Sequence, residues 1–297
     1  MIKNYKYKII FISSMIIFGT LAIFIRNINV SSGELALYRA ILAIFVVGLF
    51  LLITKQKINF KKIGKEILLL VFSGMAMGLN WVFLFEAYKY TTVSIATLSY
   101  YFAPVVVTIV SPLLFKEKLG IKGLICFIFS TIGIVLITGL GDKNNDNNHL
   151  LGILFGLLAA IFYATVMMLN KFTKTVGGIQ RTFLQFIFAT IILIPYVIFT
   201  TGFTIKSLST TGWINLLIVG IIHTGITYCM YFSSLKELPG QNAAILSYVD
   251  PLVAIIISVF ALNESITLIQ MIGGLLILIF AILNECELHL NINNNKK

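Results

Sequence analysis

The 297 residues are 59% hydrophobic and only 11% charged, too little polar surface to cover a water-soluble globule of this size. The net charge is +11, but the basic residues fall in short clusters between apolar spans. There is no continuous basic face beside stacking aromatics, so nucleic acid is excluded as a partner and the lipid bilayer is expected as the solvent. Cys126, Cys229 and Cys286 lie far apart with no CxxC or Cys/His metal spacing, so neither a disulfide framework nor a bound metal or cofactor is expected.

Crossing a bilayer takes roughly 17 to 25 apolar residues. Stretches of that kind fall near 9–26, 33–53, 66–88, 93–113, 121–140, 150–169, 181–200, 212–233, 241–261 and 268–284. The first follows a basic start like a signal peptide, yet it is long and lacks a small-x-small cleavage pattern, and it is read as a retained helix. Lengths of this order fit helices and not barrel strands, so the expected fold is an all-α membrane protein with ten transmembrane helices. An even number of spans puts both termini on one side.

Lys and Arg then assign that side. On the face shared with the N-terminus lie Lys3, Lys6, Lys8, Lys55, Lys57, Lys61, Lys62, Lys65, Lys116, Lys118, Lys122, Lys171, Lys174, Arg181, Lys236, Lys296 and Lys297, which is 17. The opposite loops hold Arg26, Lys89, Lys143 and Lys206, which is 4. The positive-inside rule makes the first face cytoplasmic, and a cell-membrane location with cytoplasmic N- and C-termini is expected.

The segment Gly78 to Glu117 returns 147 positions later as Gly225 to Glu264, with Phe85/Phe232, Lys89/Lys236, Ala96/Ala243, Tyr101/Tyr248, Pro104/Pro251, Val106/Val253, Ile109/Ile256 and Ser111/Ser258 also identical. Ten identities in forty positions exceed the roughly three or four that this composition gives by chance. Five apolar segments separate the copies, an odd number, so the second must enter the membrane from the other side. The expected organisation is a first five-helix repeat at 1–140, a polar linker at 141–149, a second repeat at 150–284 and a cytoplasmic tail at 285–297. Inverted repeats of this kind characterise secondary transporters, whose site lies between the halves near the midplane. Asp142, Asp146 and His149 in the linker are the one acidic and histidine grouping, and the Asn/Asp/Gly content of the segment favours a flexible connection over a metal site.

These residues also carry a family likeness. The run Phe85-Glu86-Ala87-Tyr88-Lys89-Tyr90-Thr91-Thr92, then Ala96 with Pro104, then Lys116-Glu117-Lys118-Leu119, followed in the second copy by Ala243, Pro251, Asn263-Glu264 and Gly273-Gly274, resembles the EamA family of the drug/metabolite transporter superfamily. The resemblance covers nearly the whole chain. It implies a ten-helix carrier of two inverted five-helix repeats that exports amino acids or other small metabolites. Two features depart from the pattern: Phe18-Gly19 stands where members often carry Trp-Gly, and Asp250 precedes the second proline where the first repeat has Ala103.

Taken along the chain, the candidate site residues begin with Glu34 and Arg39 in span two. A buried Arg either pairs with a carboxylate, here Glu34 or Asp250, or binds an anionic group through its fork of donors. Asn80 and Trp81 in span three match Thr227 and Tyr228 in span eight, and Tyr101 matches Tyr248. With Tyr163 in span six they form the expected substrate-binding lining, packing an apolar part while hydroxyl or indole groups fix a polar head. Asn170, Lys171 and Gln185 are further polar positions; Lys171 reads as a snorkelling end residue and Gln185 as a bond across helices. His223 reads as a relay or as a neutral histidine bonded to a neighbouring helix. Asp250 sits halfway along span nine, where a carboxylate facing lipid is costly, so it should face the interior and either exchange a proton or pair with a cationic substrate group. Glu117 and Glu264 close equivalent spans as helix-end or gate contacts, and Gly74/Gly78 and Gly152/Gly156 have the spacing of close helix contact.

The expected function is alternating-access transport of a small-molecule substrate, with export of amino acids or similar small metabolites the leading form, either proton-coupled or facilitative, by a monomer or homodimer. The alternatives are a non-transporting membrane receptor or assembly partner, and a membrane-embedded lipid-modifying enzyme. The latter needs a clustered His/Asp/Glu set near one interface, and the intramembrane ionisable residues here are scattered.

Overall fold

A computed structural model of the chain describes residues 2–58, 63, 64, 66–115, 120–137, 147–238 and 240–294. Among them every regular element is helical. The helices are α1 (Ile2–Gly19), α2 (Leu21–Ile25), α3 (Ser32–Ile53), α4 (Ile67–Tyr90), α5 (Val93–Tyr100), α6 (Ala103–Phe115) and α7 (Ile121–Ile137). They continue with α8 (Asn147–Phe172), α9 (Gly178–Thr200), α10 (Thr210–Leu217), a π-helical stretch at Ile218–Ile226 and α11 (Thr227–Leu235). Then come α12 (Gly240–Ser247), α13 (Val249–Ile256), a second π-helical turn at Ile257–Ala261 and α14 (Leu268–Asn294).

Among the described residues, seven helical segments are long and apolar enough to cross a membrane: Tyr5–Ile25, Ser32–Ile53, Ile67–Tyr90, Val93–Pro112, Asn148–Phe172, Gly178–Thr200 and Thr210–Leu235. Ile121–Ile137, Val249–Ala261 and Leu268–Asn284 are apolar but shorter. The protein is therefore a multi-pass membrane protein. Large apolar side chains point outward around the bundle, Phe45, Leu52, Phe199 and Phe260 among them, while Glu34, Arg39, Asn80, Gln185 and His223 are buried. Such a distribution suits lipid outside and paired polar groups within.

Hydroxyl caps start several of these helices. Ser31, Thr92 and Ser209 accept the backbone N–H groups of Glu34, Ile95 and Gly212, satisfying donors that a first turn leaves unpaired. Two spans are interrupted midway. Tyr101 and Phe102 break the first between α5 and α6, and Tyr248 breaks the other between α12 and α13. Pro104 and Pro251 each fall in the first turn after the break, where a missing N–H costs nothing, so the prolines restart helices.

Close packing relies on small residues. A Cβ at Gly74 would meet the Gln185 carbonyl at 2.7 Å, and one at Gly156 would meet the Ser99 side chain at 2.7 Å. The expected close-contact role of the Gly74/Gly78 and Gly152/Gly156 pairs is thus seen in α4 against α9 and in α8 against the end of α4 and α5. The crossing of α7 on α14 is close from both sides: a Cβ on Gly133 would lie 2.7 Å from the Gly273 carbonyl and one on Gly273 would lie 2.7 Å from the Gly133 carbonyl. Elsewhere α4 packs on α8, α3 on α9, α3 on the first π-helical stretch, and α1 on α11 and α13.

Contacts between the turns sort them into two ends. At one, Glu66 accepts from the Thr175 hydroxyl and from the Lys174 and Thr175 amides, and the Gln180 amide donates to Lys57 O at 3.1 Å. The Thr175 hydroxyl bond is the main reason the Glu66 carboxyl is held below its ordinary range. At the other end Arg26 pairs with Glu264, whose carboxylate also accepts the Val93 amide at 2.7 Å and the Ser258 hydroxyl. Thr91 and His149 meet there too, at 2.8 Å.

Span limits differ from the sequence expectation mainly at the ends. The first span begins at Tyr5 and not near residue 9, because the tyrosines and lysines of its first turns continue the helix. The last helix runs to Asn294, past the limit of 284. Of the linker, Asn147–His149 belong to α8, while Asp142 and Asp146 lie outside the described residues, as do Lys116 to Leu119 with Glu117.

Candidate functional site

Some of the buried polar side chains, Arg39 and Gln185 among them, line a cavity of about 450 Å³ formed by residues of α1, α3, α4, α8, α9 and α11 and of both interrupted spans. The interruptions shape its centre. Because α5 ends at Tyr100, the next residue leaves the helical path and Tyr101 turns its hydroxyl onto the Asp250 carboxylate, donating to Oδ2 at 2.7 Å. Asp250 sits in the first turn of α13, after the matching break. The rings of Tyr101 and Tyr248 lie 5.9 Å apart, and those of Tyr100 and Tyr163 lie 5.2 Å apart.

Arg39 supplies the opposite charge. Its guanidinium lies 4.3 Å from the Trp81 ring centroid and 5.6 Å from that of Phe85, and Nε donates to the Thr224 hydroxyl at 2.6 Å. A planar cation stacked on indole is held in place without a carboxylate partner. The Trp81, Phe186, Tyr228 and Phe18 rings form successive edge and tilted contacts at 5.3 to 5.5 Å, giving the cavity an aromatic wall.

Of the residues expected from sequence, Trp81, Tyr101, Tyr163, Tyr228, Tyr248, Asp250 and Arg39 line this space. Four do not. Asn80 turns to α8 and donates to Ala159 O at 2.7 Å, and the Thr227 hydroxyl bonds to Ile222 O at 2.7 Å within its own span. Each is one helical position, about 100°, from a neighbour that does face inward. His223 packs on Phe24 and meets the Thr20 hydroxyl at 3.0 Å, which fits the reading of a histidine bonded to a neighbouring helix.

Glu34 is fully buried away from the cavity lining, accepting the Thr204 and Ile205 amides at 2.8 and 2.9 Å and the Thr204 hydroxyl at 2.6 Å. It anchors the turn after α9. The ion-pair reading of Arg39 with Glu34 or Asp250 is corrected: among the described residues Arg39 makes no salt bridge to either, because five helical positions rotate Glu34 away from Arg39 and Thr224 occupies the guanidinium Nε.

Tyr88, Tyr100 and Arg181, which are not among the expected site residues, also line this space. Arg181 was counted with the loop cations, yet it lies one turn before Gln185 on the same face of α9, a spacing that would have signalled it.

A multi-pass bundle enclosing a polar and aromatic chamber is the architecture of a membrane transporter. The EamA-like transporter family matches residues 6–139 and again 150–285, and the chain belongs to that family. It is 33% identical over 269 residues to the uncharacterized transporter YxxF of Bacillus subtilis, covering 90% of this chain and 85% of that protein. An uncharacterized transporter of Archaeoglobus fulgidus is 26% identical over 89% of this chain and 91% of its own length. One solved crystal structure shares the fold with a TM-score of 0.64 at 16% identity, covering 95% of this chain and 98% of the other. Membership of this family makes the protein a transporter and not an enzyme.

Proposed function

We propose that the chain is a secondary carrier that exports amino acids or closely similar zwitterionic metabolites by alternating access, with Asp250 exchanging the coupling proton. The observation that carries this reading is one chamber holding both a carboxylate, Asp250 on Tyr101, and a guanidinium, Arg39 on Trp81. A zwitterion presents an ammonium to the first and a carboxylate to the second. A volume of about 450 Å³ suits a small metabolite with an apolar side chain against the aromatic wall. On this reading Trp81, Tyr101, Tyr163, Tyr228 and Tyr248 contact substrate.

Ten transmembrane helices in two inverted five-helix repeats complete the proposal. Equivalent registers support it. Ser31 and Gly177 both precede a span, Glu34 and Gln180 both sit three positions on, and each of the latter bonds the turn at the far end of its partner span. At the same offset α4 on α8 corresponds to α11 on α1, while α3 on α9 and α7 on α14 correspond to themselves. The first end of the bundle, with Lys57 and Lys174, is proposed as cytoplasmic from the excess of basic residues.

Proteoliposomes preloaded with a panel of radiolabelled amino acids are expected to release at least one of them faster than protein-free vesicles, and faster still when protons are more concentrated outside. Release equal to the protein-free control across the panel would sink the carrier reading.

A further inference from the structure

Near the first end of the chamber lies a second polar group, separate from Arg39 and Asp250. Arg181, in the first turn of α9, donates Nη1 to Asn170 O at 3.2 Å and Thr173 O at 3.3 Å, tying its guanidinium to the end of α8. Its Nε is buried with no hydrogen-bond partner. One turn on, Gln185 donates Nε2 to Asn170 Oδ1 at 2.8 Å and to the Ser73 hydroxyl. Its Oε1 is likewise buried and unpartnered, although the residue is fully buried. Arg181, Asn170 and Gln185 all line the chamber.

Unpaired donors and acceptors in an apolar surrounding are costly, and a native bundle rarely leaves one of each a single turn apart on one helix face. The two are complementary in sign: a cationic donor and a neutral acceptor. Register adds an independent argument. Gln185 is the counterpart of Arg39 at the offset of 146 that relates Ser31 to Gly177. Arg39 donates to a hydroxyl on the facing π-helical stretch, Thr224, as Gln185 donates to one on α4, Ser73.

We propose that Arg181, Asn170 and Gln185 form a second substrate subsite, in which Arg181 takes the carboxylate of a zwitterionic substrate and the Gln185 carbonyl takes its ammonium. The inference rests on the carrier reading and assigns the chamber's first end as the place where substrate is captured before it reaches Asp250 and Arg39. Capture there selects for a carboxylate.

The test compares leucine with 3-methylbutylamine, its counterpart lacking the carboxylate, by isothermal titration of the detergent-purified full chain. The wild type is expected to bind leucine about tenfold or more tightly than the amine. Arg181→Gln should reduce that preference by weakening leucine alone, the remainder being carried by Arg39, and Arg181→Lys, which keeps the charge, should restore part of it. A merely structural role, capping the end of α8, would weaken both probes equally or leave both unchanged, and either result overturns the subsite, as does a wild type without preference. Leucine flux is followed in the same preparations, so that intact discrimination with no flux counts against the carrier reading while supporting the subsite.

Discussion

Asp250→Asn is expected to remove the response of amino-acid flux to an imposed pH gradient. The variant keeps the shape of the residue and an acceptor for the Tyr101 hydroxyl, now 2.7 Å from Oδ2, but it cannot take up and release a proton. Loss of a coupling free energy of about 1–3 kcal/mol between proton and substrate corresponds to losing an effect of about 5- to 150-fold of protonation on substrate affinity, and the gradient-driven part of the flux should fall away with it. Exchange of labelled for unlabelled substrate without a gradient should persist, because the cavity and Arg39 remain. Tyr101→Phe separates the two roles: it removes the hydroxyl and leaves the carboxyl, so gradient dependence should survive with a smaller loss of rate. The proposal is wrong if Asp250→Asn vesicles still concentrate substrate against its gradient when protons flow.

Gly133→Leu should strongly destabilise the bundle. The Cβ alone would lie 2.7 Å from the Gly273 carbonyl and 2.7 Å from Ile277 Cγ1. The carbonyl belongs to the α14 backbone and cannot rotate away, so α7 and α14 must separate along the crossing. Overpacking of this kind costs about 1–3 kcal/mol, and more where the obstacle is backbone. Each kcal/mol corresponds to about 2–4 °C in melting temperature for a chain of somewhat smaller size. Gly120→Ala is the matched control, since a Cβ there meets nothing within 4 Å, and it should melt within about 1 °C of the wild type, as surface changes usually do. Equal melting temperatures for the two variants would refute the argument from packing.

Much of this architecture was legible because the bilayer imposes simple rules. Apolar runs near Ser32–Ile53, Ile67–Tyr90 and Gly178–Thr200 announced helices by length and composition alone. The duplicated Tyr101/Tyr248 and Pro104/Pro251 pairs marked spans four and nine as alike in sequence, but the breaks around which the chamber forms are seen only in the fold. Facing direction was harder. In a segment apolar all round, no amphipathic stripe tells Asn80 from Trp81, and only the packing of α4 on α8 turns the first away and the second inward.

Partner choice was harder still. Glu34 and Arg39 invite pairing on charge, yet the amides of Thr204 and Ile205 claim one and Thr224 with Trp81 claims the other. Those groups come from distant parts of the chain. Local pattern carries no record of them. Arg181 was misread for the opposite reason: it lies close to a loop in sequence, and the positive-inside count treats every such cation as solvated.

Because Phe45, Leu52, Phe199 and Phe260 face outward, this molecule is greasiest where it meets its surroundings and wettest at its heart. Stripped of amphiphile, separate copies would coalesce along those flanks. A purified sample therefore always melts together with its borrowed sleeve of detergent or lipid, and variants can be ranked only when that sleeve is the same for all.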